Sequence, residues 1–451
     1  MDEKARGLGS ESFRRDLGVD YAYAAGSMYR GIASKELVLA MGRAGFLGFL
    51  GAAGLSPERV GADIAHLRAE LGPHRPFGVN LLADHRDPAR ETAAVDRLLA
   101  HGVRVVEASA FVKVTPALVR FHLQGLRAGR DGGVVRDTRI LAKVSRPEVA
   151  REFLRPAPSG TVARLVAEGL ATAEQAALAA RVPVAQDLTV EADSGGHTDR
   201  GVSTVLLPAL QSLRGRLVKE FGYAEEIRLG LAGGIGTPQA VAAAFVMGAD
   251  YVMTGSINQC TAEAGISDEV KDRLQDIGVA DTDYCPAGDM FEIGALVQVL
   301  KKGALFPARA NRLHALYQTY ESWEEIPEGV RRQLQETFFK RSVDEVWRET
   351  CDHLRRTGRE AEIERAERLP KRRMALIFRW YYGYSSRLSF TDPGRDPANV
   401  QVHTGPALGA FNQWVRGTDL ENWRNRHPDH MARQLMQEAE HILAEHQKRV
   451  S

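Results

Sequence analysis

A histidine preceded by two glycines, Gly195-Gly196-His197, stands inside the run EADSGGHTD from Glu191 to Asp199. Glycines let a backbone approach a flat ligand closely, and an imidazole exchanges protons near neutral pH. This run therefore carries the parts of a proton-handling site, with Asp193 or Asp199 to orient the His197 ring. Two more glycine turns follow, AGGIGTP from Ala232 to Pro238 and TGSINQ from Thr254 to Gln259. In the first, the backbone amides of Gly233, Gly234 and Gly236 face a helix start, with Pro238 where a first helical turn tolerates a missing N–H. Such amides, aided by the helix dipole, bind phosphate. The spacing is not GxGxxG, so no Rossmann dinucleotide site follows. Gly255 and Ser256 present further donors one strand later, so the two turns converge on one phosphate.

Less specific residues end other apolar runs: Gly26, Ser27 and Met28 after the first, Asn80 in the third and Lys143 in the fifth. At the end of a strand Asn80 would bond a ring carbonyl, and Lys143 would favour negative charge on a reduced ring. Taken singly, Met28 also reads as core packing, Asn80 as a turn amide and Lys143 as a surface charge.

These residues need a scaffold that gathers strand ends. From Asp20 to about Gly255, short apolar or β-branched runs alternate with helical patterns, as in βα units around a parallel sheet. Eight runs read as strands: Tyr21–Ala25, Phe46–Gly51, Phe77–Leu82, Val103–Ser109, Arg139–Val144, Val184–Val190, Arg228–Ala232 and Tyr251–Thr254. Ser56–Leu71, Ala89–Ala100 and Pro238–Met247 show helical spacing between them. The fold class is α/β, a (β/α)8 TIM barrel with a helical substrate-binding insertion or second domain. An open doubly wound sheet reads similarly, but glycine turns after the last two strands suit the phosphate site of a barrel.

After about Asp283 the texture changes to charged helices with clustered aromatics. The division is residues 1–283 for the barrel and 284–400 for a helical substrate-binding region beside its mouth. Residues 401–451 form a C-terminal segment whose last helix, Asp429–Arg449, packs back on the barrel as its eighth. The cluster Lys371, Arg372, Arg373, Arg379, Trp380, Tyr381 and Tyr382 reads either as a surface for an acidic partner or as an internally paired helical face.

The 451 residues suffice for more than one domain, with 44% hydrophobic and 26% charged residues as in a globular enzyme. Lys plus Arg number 59 against 58 Asp plus Glu, which leaves no overall field demanding nucleic acid or anionic lipid. Cys260, Cys285 and Cys351 lie far apart, which argues against a disulfide framework or a structural zinc site and predicts no metal. The charged start MDEKARG and the short glycine-rich stretch near Phe46 read as neither signal peptide nor membrane span. The expected location is cytoplasmic, and a homo-oligomer is compatible with the sequence.

Longer strings carry a resemblance. VEADSGGHTD from Val190, LGLAGGIGTPQAVAAAFVMGADYVMTGSINQ from Leu229 and EAGISDEVK from Glu263 resemble the flavin barrels of nitronate monooxygenases and flavin-type enoyl-ACP reductases. With DMFEIGALVQVLKKGALFPARANRLHALY from Asp289, MALIFRWYYGYSSR from Met374 and TGPALGAFNQWVRG from Thr404, the match is closer to PfaD-like trans-acting enoyl reductases of polyketide and polyunsaturated fatty acid assembly lines. That resemblance implies an FMN barrel that reduces the α,β double bond of a 2-enoyl thioester on an acyl carrier protein, with NADPH or NADH as reductant. It carries the proton-handling role onto His197 and phosphate contacts onto Gly233, Gly234, Gly255 and Ser256. Contacts to the flavin ring fall on Gly26, Met28, Asn80 and Lys143, and Ser27, Gly195 and Gly196 stand beside them as cofactor-binding candidates. The stretch Thr198-Asp199-Arg200-Gly201 lacks the family's Asn-Arg-Pro continuation, and Cys260 replaces a small residue. The alternatives are a nitronate monooxygenase-like flavin oxidase, with His197 as base, and a non-catalytic assembly-line docking protein.

Overall fold

The computed structural model describes residues 5–84 and 87–450, so most of the charged N-terminal run, residues 1–4, lies outside the described residues. In chain order the first strands are β1 (Tyr23–Ala25), β2 (Leu47–Leu50), β3 (Gly78–Leu82) and β4 (Val105–Ser109). A hairpin of β5 (Leu126–Ala128) and β6 (Val134–Arg136) precedes β7 (Arg139–Val144) and β8 (Asp187–Glu191). The short strand β9 (Gly196–His197) is followed by β10 (Arg228–Ala232), β11 (Tyr251–Thr254), β12 (Thr282–Pro286) and β13 (Leu296–Leu300).

Eight of these close a parallel barrel in the order β1-β11-β10-β8-β7-β4-β3-β2. All eight strands expected from the sequence are present in it, so the barrel and not the open sheet is the fold. Local chemistry sets the intervening helices. Pro57–Leu71 starts where Ser56 Oγ accepts from Arg59 N, and buries Val60, Ile64, Leu67 and Leu71 along one stripe. It stops at Gly72, whose φ of 67° a side chain would resist.

The N-terminal end of the barrel is filled. Phe13, on the helix Glu11–Leu17, stacks on Tyr251 with ring centroids 4.3 Å apart. The fully buried Arg228 and Asp187 pair at 2.6 Å, and Arg228 also meets Asp16 at 2.8 Å. Strand interiors packed this way leave chemistry to the opposite, C-terminal end. The last helix, Pro428–Val450, packs on Pro238–Val246 and Lys35–Arg43 and completes the helical ring between the units of β10 and β1.

Two compact units share the chain. The barrel unit runs to Ser194 and takes Asp199–Gly265 and Ala410–Ser451; the second unit is Gly195–Thr198 with Ile266–Gly409. Its boundaries fall at 265/266 and 409/410, where the sequence reading divides at 283/284 and 400/401. The second unit is not purely helical as expected. Residues 282–300, read from the sequence as the start of helices, form the antiparallel pair β12 and β13, and β9 adds to the free side of β13. Val297 to Leu300 are all buried along β13, as in a strand covered on both faces.

The second unit's core is aromatic. Phe291, Phe306, Trp323, Phe338, Phe339, Phe378, Tyr381 and Tyr382 pack together beneath the helix Pro370–Thr391. The cation cluster on that helix is internally paired. Lys371 Nζ donates to Tyr320 O at 2.6 Å, Arg372 pairs with Glu362, Arg379 reaches Glu292 at 3.3 Å, and Trp380 Nε1 donates to Glu349 at 2.9 Å. Of the two readings of this cluster, these contacts favour the internally paired face: the aromatics are core, Lys371, Arg372 and Arg379 meet carboxylates or carbonyls, and Arg373 lies over the Trp347 ring. Cys260, Cys285 and Cys351 are free and buried. No helix among the described residues is long and apolar enough to cross a membrane.

Candidate active site

Strand register places the candidates of the barrel unit at one end of the sheet. Ala25 lies beside Thr254, Asn80 beside Glu107, Lys143 beside Thr189, and Glu191 beside Ala232. Gly26, Ser27 and Met28 thus leave β1 next to Gly255 and Ser256 leaving β11, and Gly233 and Gly234 leave β10 on the other side of β11.

The two glycine turns fit an anion. A Cβ on Gly234, where φ is 76°, or on Gly255 would meet no protein atom within 4 Å. Open space therefore lies before amides at adjacent strand ends, and a side chain there would stand where a ligand approaches. Gly233 is required for another reason: its Cβ would come within 2.5 Å of Ala192 O, so a close chain crossing demands glycine.

At the centre is a residue the sequence reading passed over. Glu107, fully buried on β4, accepts from Ser27 N at 3.2 Å, from Ser27 Oγ and from Asn80 Nδ2 at 3.4 Å. Burial pushes its carboxyl up, Lys143 and the Ser27 hydroxyl oppose that, and Glu191 adds to it. Lys143 Nζ pairs with Glu191 Oε1 at 2.9 Å. Burial would lower the ammonium, but the two carboxylates outweigh it and hold Lys143 protonated well above the ordinary lysine range. Lys143 is neither a surface charge nor a lone cation: one ammonium stands between two carboxylates.

Asn80 is turned by the same network. Its Nδ2 faces Glu107 O at 3.3 Å, Glu107 Oε2 and Ser109 Oγ at 3.1 Å. The amide N–H groups are thereby directed at protein acceptors, and Oδ1 is the acceptor end of the side chain. Met28 is half-buried, and its carbonyl, close against Gly51, accepts from Ala33 N at 3.3 Å.

His197 belongs to the second unit, together with Gly195 and Gly196. Gly196 has φ 85°, and His197 pairs with Val297 across β9 and β13. The carboxylate at its Nε2 is Asp289, 2.9 Å away, where the sequence reading looked to Asp193 or Asp199. Asp199 Oδ2 instead accepts from Ser145 Oγ at 2.5 Å. Burial would raise the Asp289 carboxyl, but the hydrogen bond and charge of His197 hold it below the usual carboxylate range. A second imidazole, His403, bridges Val299 on the same side of β13. Its Nε2 meets Gln401 Nε2 at 2.7 Å, and burial lowers its pKa to about 4, with repulsion from His197 adding and Asp289 opposing.

Glu107, Asp289 and His403 all escaped the sequence reading. Only Glu107 left a signal, a charge inside the strand run VVEASA. Among the described residues no group of His, Cys, Asp and Glu side chains is arranged for a metal ion. Cys260 packs against the buried Arg426, its Sγ 3.4 Å from Nη1.

Comparison with known proteins agrees with this architecture. The nitronate monooxygenase family model matches residues 16–298, and that of the [acyl-carrier-protein] S-malonyltransferase inserted helical domain matches 320–398. The polyketide biosynthesis protein PksE of Bacillus subtilis is 50% identical over 98% of this chain, and ThaF of Burkholderia thailandensis 51% over 97%. The chain spans only 57% of PksE and 37% of ThaF. The crystal structure of the enoyl reductase domain of MlnA, from the macrolactin cluster of Bacillus amyloliquefaciens, superposes with a TM-score of 0.94 at 43% identity, covering 98% of this chain and 99% of that one. A nitronate monooxygenase-like barrel followed by this helical domain, alike along its whole length to an assembly-line enoyl reductase, places the chain in the PfaD-like enoyl reductase family of polyketide and polyunsaturated fatty acid assembly lines.

Proposed function

We propose that this chain is a cytoplasmic, FMN-dependent enoyl reductase that acts in trans on a 2-enoyl thioester carried by an acyl carrier protein, with NADPH or NADH as reductant. The observation that carries this reading is the whole-length likeness to the MlnA enoyl reductase domain. The open glycine turns support a phosphate-bearing cofactor, since Gly234 and Gly255 leave space before their amides. A helical domain of the kind found in an acyl-carrier-protein transferase supports a carrier-borne substrate.

Bound FMN would supply the two-electron chemistry, accepting hydride from the nicotinamide and passing it to the β-carbon of the enoyl chain. The chain's own residues bind, orient and move protons. Amides of Gly233, Gly234, Gly255 and Ser256 would hold the phosphate, and Gly26, Ser27 and Met28 would border the ring; Gly195 and Gly196 of the second unit are further cofactor-binding candidates. Asn80 Oδ1 would accept from a ring N–H, its other end held by the Glu107 and Ser109 contacts. His197 gives a proton to the α-carbon, and Asp289 steadies the imidazolium that reloads.

The test is mass spectrometry of an enoyl-loaded carrier protein incubated with flavin-loaded chain and NAD(P)H. The reading expects a gain of two hydrogens on the acyl group, with slower turnover of a small thioester mimic that lacks the carrier's local concentration. The match to the nitronate monooxygenase model over 16–298 favours one competing reading, a flavin oxidase with His197 as base. Unchanged acyl carriers together with oxygen consumption on a nitroalkane would decide for that oxidase.

A further inference from the structure

We infer that Glu107 is a charge-compensating carboxyl, which takes one proton from solvent when two electrons enter the barrel mouth and returns it when they leave. The inference rests on the flavin reading above and concerns this chain's own residues. Two carboxylates, Glu107 and Glu191, share the single ammonium of Lys143, so the cluster already carries one negative charge beyond neutrality when both are ionised. The charged groups that face Glu107 are Lys143 on β7 and Glu191 on β8, while the loop after β1 and strand β3 offer it only the neutral donors Ser27 and Asn80.

A hydride from a dihydronicotinamide brings two electrons and one proton, and leaves the oxidised nicotinamide to depart as a cation. The mouth is then one unit more negative than before. Inside a protein a charge added within several ångströms of an ionised carboxylate is strongly opposed. Protonation of a carboxyl relieves it, and the site returns to its former charge. Glu107 is the carboxyl that yields, because its side chain is fully buried, whereas Glu191 is 24% exposed and holds the direct ion pair with Lys143. Burial already pushes Glu107 toward its protonated form. Hydride transfer to the acyl chain removes the negative charge, and the proton goes back to solvent. No oxidant or reductant beyond the nicotinamide and the enoyl thioester is needed.

The experiment counts protons and not turnover. Flavin-loaded chain is reduced and reoxidised in a potentiometric cell at several pH values through the neutral range, and the pH slope of the midpoint potential gives protons taken up per electron pair. Glu107→Gln also changes the charge beside the ring, so ring protonation is counted separately at each pH from the absorbance spectrum of the reduced flavin and subtracted. The wild type is expected to take up one proton more than Glu107→Gln over part of that range; equal counts at every pH overturn the inference. If Glu107→Gln does not fold or load, the wild type still answers through its reduction-induced infrared difference spectrum. A new protonated-carboxyl band that moves on isotopic labelling of glutamate supports the inference, and its absence overturns it. A folded wild-type chain that binds no flavin removes the parent reading together with this one, whereas a loaded chain without the extra proton removes this one alone.

Discussion

His197 Nε2 lies 2.9 Å from Asp289 Oδ1, although the two residues stand 92 positions apart in sequence. The pair is half-exposed, so its value is in orienting and charging the imidazole more than in holding the fold. Asp289 is held below the ordinary carboxylate range, and at neutral pH it therefore faces the ring as an anion and favours the imidazolium. Replacement by Asn removes that support, and His197 then loses its proton at a lower pH. Stopped-flow reoxidation of the reduced flavin by an enoyl thioester is expected to show the alkaline limb of Asp289→Asn displaced to lower pH. His197→Ala should slow the same step by about 10²- to 10⁴-fold, with flavin retained. Superimposable pH profiles for wild type and Asp289→Asn would take Asp289 out of the chemistry.

The phosphate assignment is tested most cleanly at Gly255. Its φ of −131° lies outside the left-handed region, unlike that of Gly234 at 76°. Aspartate at 255 would put a carboxylate beside the phosphate, and like charges about 4 Å apart repel by about 4 kcal/mol at the effective dielectric of a protein surface. Gly255→Asp should therefore purify folded and nearly colourless, and Gly255→Ala should keep much of its flavin. Full flavin content in the aspartate variant, read from visible absorbance against protein, would refute the site.

The barrel was legible because each of its strands is a short apolar run closed off by turn residues, as at Phe46–Gly51 and Tyr251–Thr254. Its glycine turns were legible for a related reason: positive φ at Gly233 and Gly234 leaves a mark on composition. What stayed hidden depends on distant segments meeting. Nothing near His197 announces Asp289, and His403 joins them only because residues 402–403 and β9 line the same side of β13. The strands β12 and β13 were taken for helix because five-residue segments, the mixed TDYCP and the mostly apolar LVQVL, do not declare their period, and the run of helices after them set the local expectation. Trp380, Tyr381 and Tyr382 left two readings open because aromatics beside arginines on a helix read the same whether they face solvent or a core.

Asn80 offers a test of ring recognition. Its Nδ2 faces Glu107 and Ser109, and on the proposed reading Oδ1 accepts from the ligand. Asn80→Leu deletes that acceptor and also strips a donor from Glu107, so flavin affinity should fall about tenfold or more. Asn80→Asp keeps an acceptor but sets a second carboxylate against Glu107 Oε2, now 3.4 Å from Nδ2. Its affinity should fall further as pH rises and recover as pH falls. Fluorescence titration of apoprotein with FMN measures both, and equal affinity of wild type and Asn80→Leu would show that the residue does not touch the ring.

His403 links the site to the stability of the chain. Burial lowers its pKa from an ordinary 6.5 to about 4, the neighbouring His197 adds repulsion, and Asp289 opposes both. The depressed value belongs to a base, so the native state keeps His403 neutral in a range where the unfolded chain binds a proton. Stability is therefore complete above the unfolded value and drains away as pH falls from about 6.5 toward 4. A shift of this size corresponds to about 3 kcal/mol at most, because each pKa unit is about 1.4 kcal/mol. His403→Gln has nothing to protonate and can still accept from Gln401, which lies 2.7 Å away in the wild type. The urea midpoint of the wild type should accordingly drop more steeply across that range than the midpoint of His403→Gln. Parallel curves would mean that the imidazole is charged or solvated in the native state, and that it is not the neutral ring packed behind Gly196.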